Sequence, residues 1–186
     1  MKKSLIVYGT RYGSTEEISK EIAKILREHE IEVELINLEE TKVKNLPPLE
    51  NFDGILVGSS IKIGKMTKHI RKFLEKNEEM LKARENILGL FVSCGTAGDP
   101  EKRGKAKKDY INKVLNEKNL EADLSEAFGG VFDLSEESNL GFFSKKIMEA
   151  TSKDDPNITA GEKNDQRDWN RIKEFANRFC EQLTSD

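Results

Sequence analysis

The chain has 186 residues, 36% of them apolar and 35% charged. At about 150 residues per domain this is material for one core, and it is too apolar for a disordered chain. The 34 acidic residues nearly cancel the 31 basic ones, leaving a net charge of -3, so no overall field draws the chain to nucleic acid or to an anionic membrane. Two cysteines far apart in sequence, Cys94 and Cys180, and only two histidines, His29 and His69, argue against a disulfide framework and a zinc site. They fit free thiols in the cytoplasm.

Met1-Lys2-Lys3 runs directly into a short apolar segment, Ser4 to Gly9, which has the length of a strand and is too short for a leader core or a membrane span. Ile18, Ile22, Ile25 and Leu26 then recur at helical spacing, with Glu16, Lys20, Lys24 and Arg27 on the other face. A second strand fits Glu32 to Leu38. The crossover Glu39 to Asp53 holds Pro47-Pro48, so any helix in it must be short. Strand three fits Gly54 to Ser59, followed by a helix over Lys65 to Lys82 that buries Ile70, Phe73, Leu74 and Leu81. Strand four fits Asn86 to Ser93, and a helix over Glu101 to Asn116 carries Tyr110, Ile111, Val114 and Leu115. Strand five fits Ala127 to Leu134, and a last helix, Asp165 to Leu183, uses Trp169, Ile172, Phe175, Ala176 and Phe179.

Strands alternating with amphipathic helices imply an α/β fold, a doubly wound parallel sheet with helices on both faces. Strands one, three and four are nearly continuous apolar runs, as expected of central strands buried on both sides. The five-strand order is then 2-1-3-4-5, with a ligand crevice at the switch point between strands one and three, beyond their carboxyl ends.

Three loops meet at that crevice. Strand one leads through Thr10-Arg11-Tyr12-Gly13-Ser14-Thr15 into a helix, where hydroxyls, a glycine and free helix-start N–H groups suit a phosphate. Ordinary capping competes with this reading, because Ser14 and Glu17 have capping-box spacing. The loop matches neither the Walker A nor the G-x-G-x-x-G pattern. Strand three ends in Gly58-Ser59-Ser60-Ile61-Lys62-Ile63-Gly64 and strand four in Ser93-Cys94-Gly95-Thr96-Ala97-Gly98-Asp99-Pro100, both small and glycine-rich.

Strand, Thr10-x-x-Gly13-x-Thr15, helix and two glycine-rich loops together resemble flavodoxin. Gly9 to Thr15, Val57 to Gly64 and the tail from Asp168-Trp169 to Phe175-Ala176 are similar to the flavodoxin-domain family that includes menaquinone-dependent protoporphyrinogen dehydrogenase. The resemblance implies a flavodoxin-like FMN-binding domain. Thr10, Gly13, Ser14 and Thr15, with the amides of Arg11 and Tyr12, would hold the FMN phosphate. Ser59, Ser60, Ile61, Lys62, Ile63 and Gly64 would lie on one side of the isoalloxazine, and Ser93, Cys94, Gly95, Thr96, Ala97, Gly98 and Asp99 on the other. Tyr12 departs from the small hydroxyl common there, with Arg11 either turned inward to compensate or lying in solvent.

A second departure is that neither ring-flanking loop contains an aromatic residue. Ile61, Ile63 and Thr96 are the nearest equivalents, which leaves the ring face open to a flat substrate or to a partner's cofactor. The implied activity is that of an FMN-dependent oxidoreductase acting on a reduced small molecule. The alternative is an electron carrier between redox proteins. A phosphoacceptor receiver domain shares the strand order but lacks its acids, since Ser59-Ser60 and Thr10-Arg11 stand where they are required.

Cys94 reads either as a small buried hydrophobe or as a group tuning the flavin. Lys62 is either a solvated loop lysine or a charge beside the ring, and His69 belongs to an exposed basic face suited to an acidic partner. The segment Ser135 to Asp165 exceeds an ordinary connection. Its stretch Leu140 to Met148 is apolar and basic but flanked by acids, which argues against stable membrane association and for a lid or a contact in a homodimer.

Overall fold

The computed structural model describes residues 1–83, 85–138, 146 and 158–185. Leu140 to Met148, apart from Lys146, lies outside the described residues, and so does most of the proposed lid or dimer contact.

Five parallel strands form the main sheet: β1 (Lys3–Gly9), β2 (Glu32–Asn37), β3 (Gly54–Lys62), β5 (Ile87–Ser93) and β6 (Leu124–Phe128). They lie in the order β2-β1-β3-β5-β6, with β4 (Lys65–Met66) folded back antiparallel onto the end of β3. This is the expected 2-1-3-4-5 arrangement, because β4 is only the short return of a hairpin. The cause is visible in the burial pattern. β1, β3 and β5 are buried along almost their whole length, while β2 is only partly covered, so the most apolar runs take the centre.

Side chains alternate between two cores. Leu5, Val7, Ile55, Val57, Leu88 and Leu90 face one layer, and Ile6, Leu56 and Phe91 face the other. Helices α1 (Ser14–Glu28) and α6 (Trp169–Thr184) cover the second layer through Ile18, Ile22, Leu26, Phe175 and Phe179. Phe91, Phe128 and Phe175 meet there with ring centroids 5.6–6.1 Å apart, in the tilted and edge-on geometries that aromatic quadrupoles favour.

The opposite layer differs from the sequence expectation in its helices. The helix expected over Lys65 to Lys82 is replaced by β4, α2 (Lys68–Lys76) and α3 (Glu78–Ala83). Thr67 caps α2 by accepting from the Ile70 N–H, and Asn77 ends it with a side-chain bond to the Phe73 carbonyl. The helix expected over Glu101 to Asn116 is α4 (Arg103–Ala106), a π-helical stretch (Lys107–Asn112) and α5 (Lys113–Lys118).

Strand five is also corrected. The chain leaves β6 at Phe128 and turns at Gly129-Gly130. It re-forms as β7 (Val131–Asp133), paired antiparallel with β8 (Lys163–Asp165) in a separate small sheet. Consequently the last helix begins at Trp169, capped by the Asp168 carboxylate on the Arg171 N–H, rather than at Asp165. Proline keeps the crossover from β2 to β3 to two single 3-10 turns, Val43–Asn45 and Leu49–Asn51. No described helix is long and apolar enough to cross a membrane.

Candidate functional site

Parallel pairing in register brings the carboxyl ends of β1, β3 and β5 to one level. Gly9 stands beside Ser59, and Ser60 beside Ser93. The three loops that follow therefore open on a common cleft of about 450 Å³, in the size range of small-molecule sites.

The loop after β1 is held from inside. Thr10 Oγ1 accepts from the Gly13 N–H at 3.0 Å, and Gly13 takes φ 90 at the helix start, a conformation that glycine adopts without a Cβ penalty. No side chain caps α1. The capping box of Ser14 and Glu17 is thus not formed. Ser14 Oγ accepts from the Val131 N–H at 3.1 Å, and Glu17 pairs with Arg167 at 2.6 Å. The first-turn N–H groups before Glu17 have no partner one turn back, and the glycine beside them borders open space. Thr15 Oγ1 is buried in the same turn without a hydrogen-bond partner.

Arg11 is half-buried and does not line the cleft. Burial pulls its guanidinium below the usual pKa, against the opposing Glu39 carboxylate, and its Nη1 has no partner. Tyr12 reaches across the cleft mouth instead. Lys62 Nζ donates to its hydroxyl at 2.8 Å and lies 5.4 Å from its ring centroid, which replaces the solvated loop lysine of the sequence reading.

The loop after β3 is a tight hairpin, Ile63-Gly64, with φ 50 and 69. Ser59 supports it from below: its hydroxyl accepts from the Thr67 N–H and donates to the Ser60 carbonyl. Ser60, Ile61, Lys62, Ile63 and Gly64 line the cleft, and Ser60 Oγ is buried without a partner.

From the loop after β5, Ser93, Cys94, Gly95 and Thr96 line the cleft. Ala97 is in the core, and Gly98 is packed against Gln166 so closely that a Cβ would collide. Asp99 turns away to accept from the Glu101 N–H and pair with Lys102, contacts that lower its pKa. Burial pushes the Cys94 thiol up to about 11, so it behaves as a small hydrophobe. His69 is not a free basic group either, because its Nδ1 lies 2.7 Å from Glu39 Oε2.

Four cleft residues were not expected from the sequence: Tyr110, Gly130, Val131 and Phe132. The two ring-flanking loops carry no aromatic residue, as read from the sequence, but Tyr110 and Phe132 bring aromatic rings to the cleft from other elements. Phe132 comes from β7 and fills the space over Gly95 that a Cβ would occupy, and Tyr110 comes from the π-helical stretch. The signal for Phe132 was Gly129-Gly130, which ends one strand and allows the next to leave the sheet.

A doubly wound sheet with a cleft at its switch point, beside an uncapped helix start and two small-residue loops, defines a class of α/β proteins that bind anionic cofactors. Residues 5–161 match the family described as flavodoxin domain, and the chain belongs to that family. It is similar to the protoporphyrinogen IX dehydrogenase (quinone) of Escherichia coli strain K12, with 31% identity over 114 residues. That match covers 61% of this chain and 60% of that protein, less than two thirds of the relative.

Among solved structures, a flavodoxin from the domain Archaea aligns with 98% of this chain and 99% of its own at TM-score 0.57 and 16% identity. The Fusobacterium nucleatum flavodoxin bound to flavin mononucleotide covers 98% of this chain and 97% of its own at TM-score 0.52 and 14% identity. These two likenesses concern the fold.

Proposed function

We propose that this chain is an FMN-dependent oxidoreductase that oxidises a flat, reduced small molecule of the porphyrinogen type. Family membership supports the broader reading, an FMN-type oxidoreductase or electron carrier. The observation that carries the cofactor assignment is the start of α1. An uncapped first turn, an open cradle at Gly13 and the unpartnered buried hydroxyl of Thr15 are fitted to a phosphate. Buried hydroxyls without partners are costly, and a ligand oxygen relieves that cost.

In this reading Thr10, Gly13, Ser14 and Thr15, with the backbone amides of Arg11 and Tyr12, form the phosphate side of the site. Residues 59–64 and 93–99 flank the ring, directly through those that line the cleft and indirectly through Ser59, Ala97, Gly98 and Asp99, which shape the loops. Bound FMN supplies the electron chemistry. The chain supplies position: Ser59 and Thr67 fix the β3 loop, and Ser93 Oγ bonds the Gly129 carbonyl to hold the cleft floor. Phe132 and Tyr110 exclude water from one wall, and Lys62 places a positive charge at the mouth, where it favours reduced, negatively charged species.

Titration of purified apoprotein with FMN is expected to give a yellow complex with quenched flavin fluorescence, and absence of binding overturns the assignment. Thr15→Val sharpens the test. Replacing an unpartnered hydroxyl with a methyl group should leave stability unchanged or slightly raised while weakening FMN about tenfold. Anaerobic protoporphyrinogen IX should bleach the bound flavin. Ile63, 83% exposed at the cleft mouth, favours the second reading, an electron carrier docking another protein. Two resolved one-electron steps in a potentiometric titration support the carrier, and a single two-electron step supports the enzyme.

A further inference from the structure

Between α4 and α5 the chain departs from α-helical phase. Lys107–Asn112 is π-helical, a rare conformation that is concentrated at functional sites. Its consequence can be read from burial. Ala106 and Ile111 are both fully buried in the same core layer, five residues apart. In an unbroken α-helix the residue stacked one turn after Ala106 would be the fourth, Tyr110. The wide turn puts Ile111 in the core and leaves Tyr110 half-buried, its ring packed on the core edge and lining the cleft. Leu115, four residues after Ile111, resumes the α spacing and is buried again.

A tyrosine moved out of a core position should have a use for its hydroxyl, which can both donate and accept. Tyr110 makes no hydrogen bond among the described residues. Val131 and Phe132 line the same cleft, as does the small hydroxyl residue Thr96, so Tyr110 adds a polar group to a partly apolar wall. That is the arrangement by which such a wall orients a flat ring without binding it indiscriminately.

We propose that Tyr110 is a specificity-determining residue: the π-turn delivers its hydroxyl to hydrogen-bond the polar edge of the small redox substrate, a carbonyl oxygen or a ring N–H. It is not a ligand of the cofactor. This assignment rests on the FMN reading, and it adds which side chain reads the substrate and which backbone feature puts it there.

The test uses FMN-loaded protein and two probes. Menadione, which carries carbonyl oxygens, reoxidises dithionite-reduced protein, and protoporphyrinogen IX, which carries N–H groups, reduces the oxidised protein. Both are followed by stopped-flow absorbance. Tyr110→Phe keeps the ring and removes only the hydroxyl. It should raise the half-saturation concentration for one or both probes about three- to tenfold, with the limiting rate, the FMN dissociation constant and the thermal midpoint within about twofold or a degree or two of the parent. The probe that responds identifies the substrate edge. Tyr110→Leu, which also removes the ring, should raise half-saturation at least as far while still loading FMN.

Unchanged half-saturation for both probes in both variants overturns the proposal. A large loss of FMN affinity in Tyr110→Phe overturns it as well, because it moves the hydroxyl to the cofactor. Wild-type protein that takes no FMN overturns the functional reading, and this assignment with it.

Discussion

At the scale of single residues, the turn at the cleft mouth is built against local preference. Two-residue hairpins with positive φ at both positions favour Asn-Gly, yet the first position here is Ile63, β-branched and 83% exposed, at φ 50. Neither burial nor a side-chain bond offsets that conformation, so Ile63→Asn should stabilise the protein by about 1 kcal/mol. A rise in the urea midpoint at constant m-value checks it, and no rise would show the turn to be unstrained. The two cysteines set a limit at high pH. Burial raises Cys94 and Cys180 from 9.0 to about 11. The folded state thus keeps protons that the unfolded chain releases, and the stability they contribute is intact below pH 9 and lost as pH rises toward 11. Denaturation midpoints at pH 8 and pH 10 should differ by less in Cys94→Ala than in the parent. An equal pH dependence would show that the thiol does not titrate as buried.

Elements were legible in the sequence to the extent that their partners were local or their patterns unbroken. β1, β3 and β5 announce themselves as apolar runs with the burial expected of a sheet centre, and from them follow the strand order and the position of the crevice. The β7–β8 sheet was hidden because Val131 and Phe132 pair with Asp165 and Asn164, more than thirty residues along the chain. Phe132 was therefore assigned to the main sheet rather than to the site. The π-turn was hidden for a different reason: Tyr110, Ile111, Val114 and Leu115 fit an α stripe equally well, and only burial separates Ile111 from Tyr110. The small sheet depends on the turn that ends β6. Gly129 is buried against the Gln166 backbone, leaving no room for a Cβ. Because backbone cannot swing aside as a side chain can, Gly129→Ala should cost about 2–3 kcal/mol. The same substitution should also loosen the cleft wall carried by β7. Urea denaturation together with FMN affinity checks both effects, and a neutral result would mean that the hairpin docks without this close approach.

At the scale of the whole molecule, the cleft is assembled from chain segments separated by most of the sequence, and three arginines, two at the start of the last helix and one at the start of α4, fasten them. Arg103 binds the Ala97 carbonyl and Asp168, tying the β5 loop to the cap of α6, and Arg171 reaches Glu126 on β6. Arg167 is the most enclosed of these, its side chain only 4% exposed. Its guanidinium bonds Asp165 through two nitrogens at 2.6 and 2.8 Å, pairs with Glu17 on α1 at 2.6 Å and stacks 4.5 Å from the Trp169 ring centroid. One side chain thus joins β8, α1 and α6 behind the proposed phosphate loop. Burial works against the Asp165 carboxylate, but the Arg167 hydrogen bonds outweigh it and hold its pKa below the ordinary value. Arg167→Met keeps the chain length over Trp169 and removes every charge-assisted bond. Because Asp165 and Glu17 remain open to water, the cost should be about 1–3 kcal/mol rather than that of a fully buried pair. Much of this deficit should disappear as pH falls and Asp165 protonates, since the parent then loses the same pairing. Urea midpoints of parent and variant at pH 7 and pH 3 check the sign. A deficit that grows in acid would place the stabilisation in stacking on Trp169 instead of in the ion pairs that draw the ends of the chain together at the site.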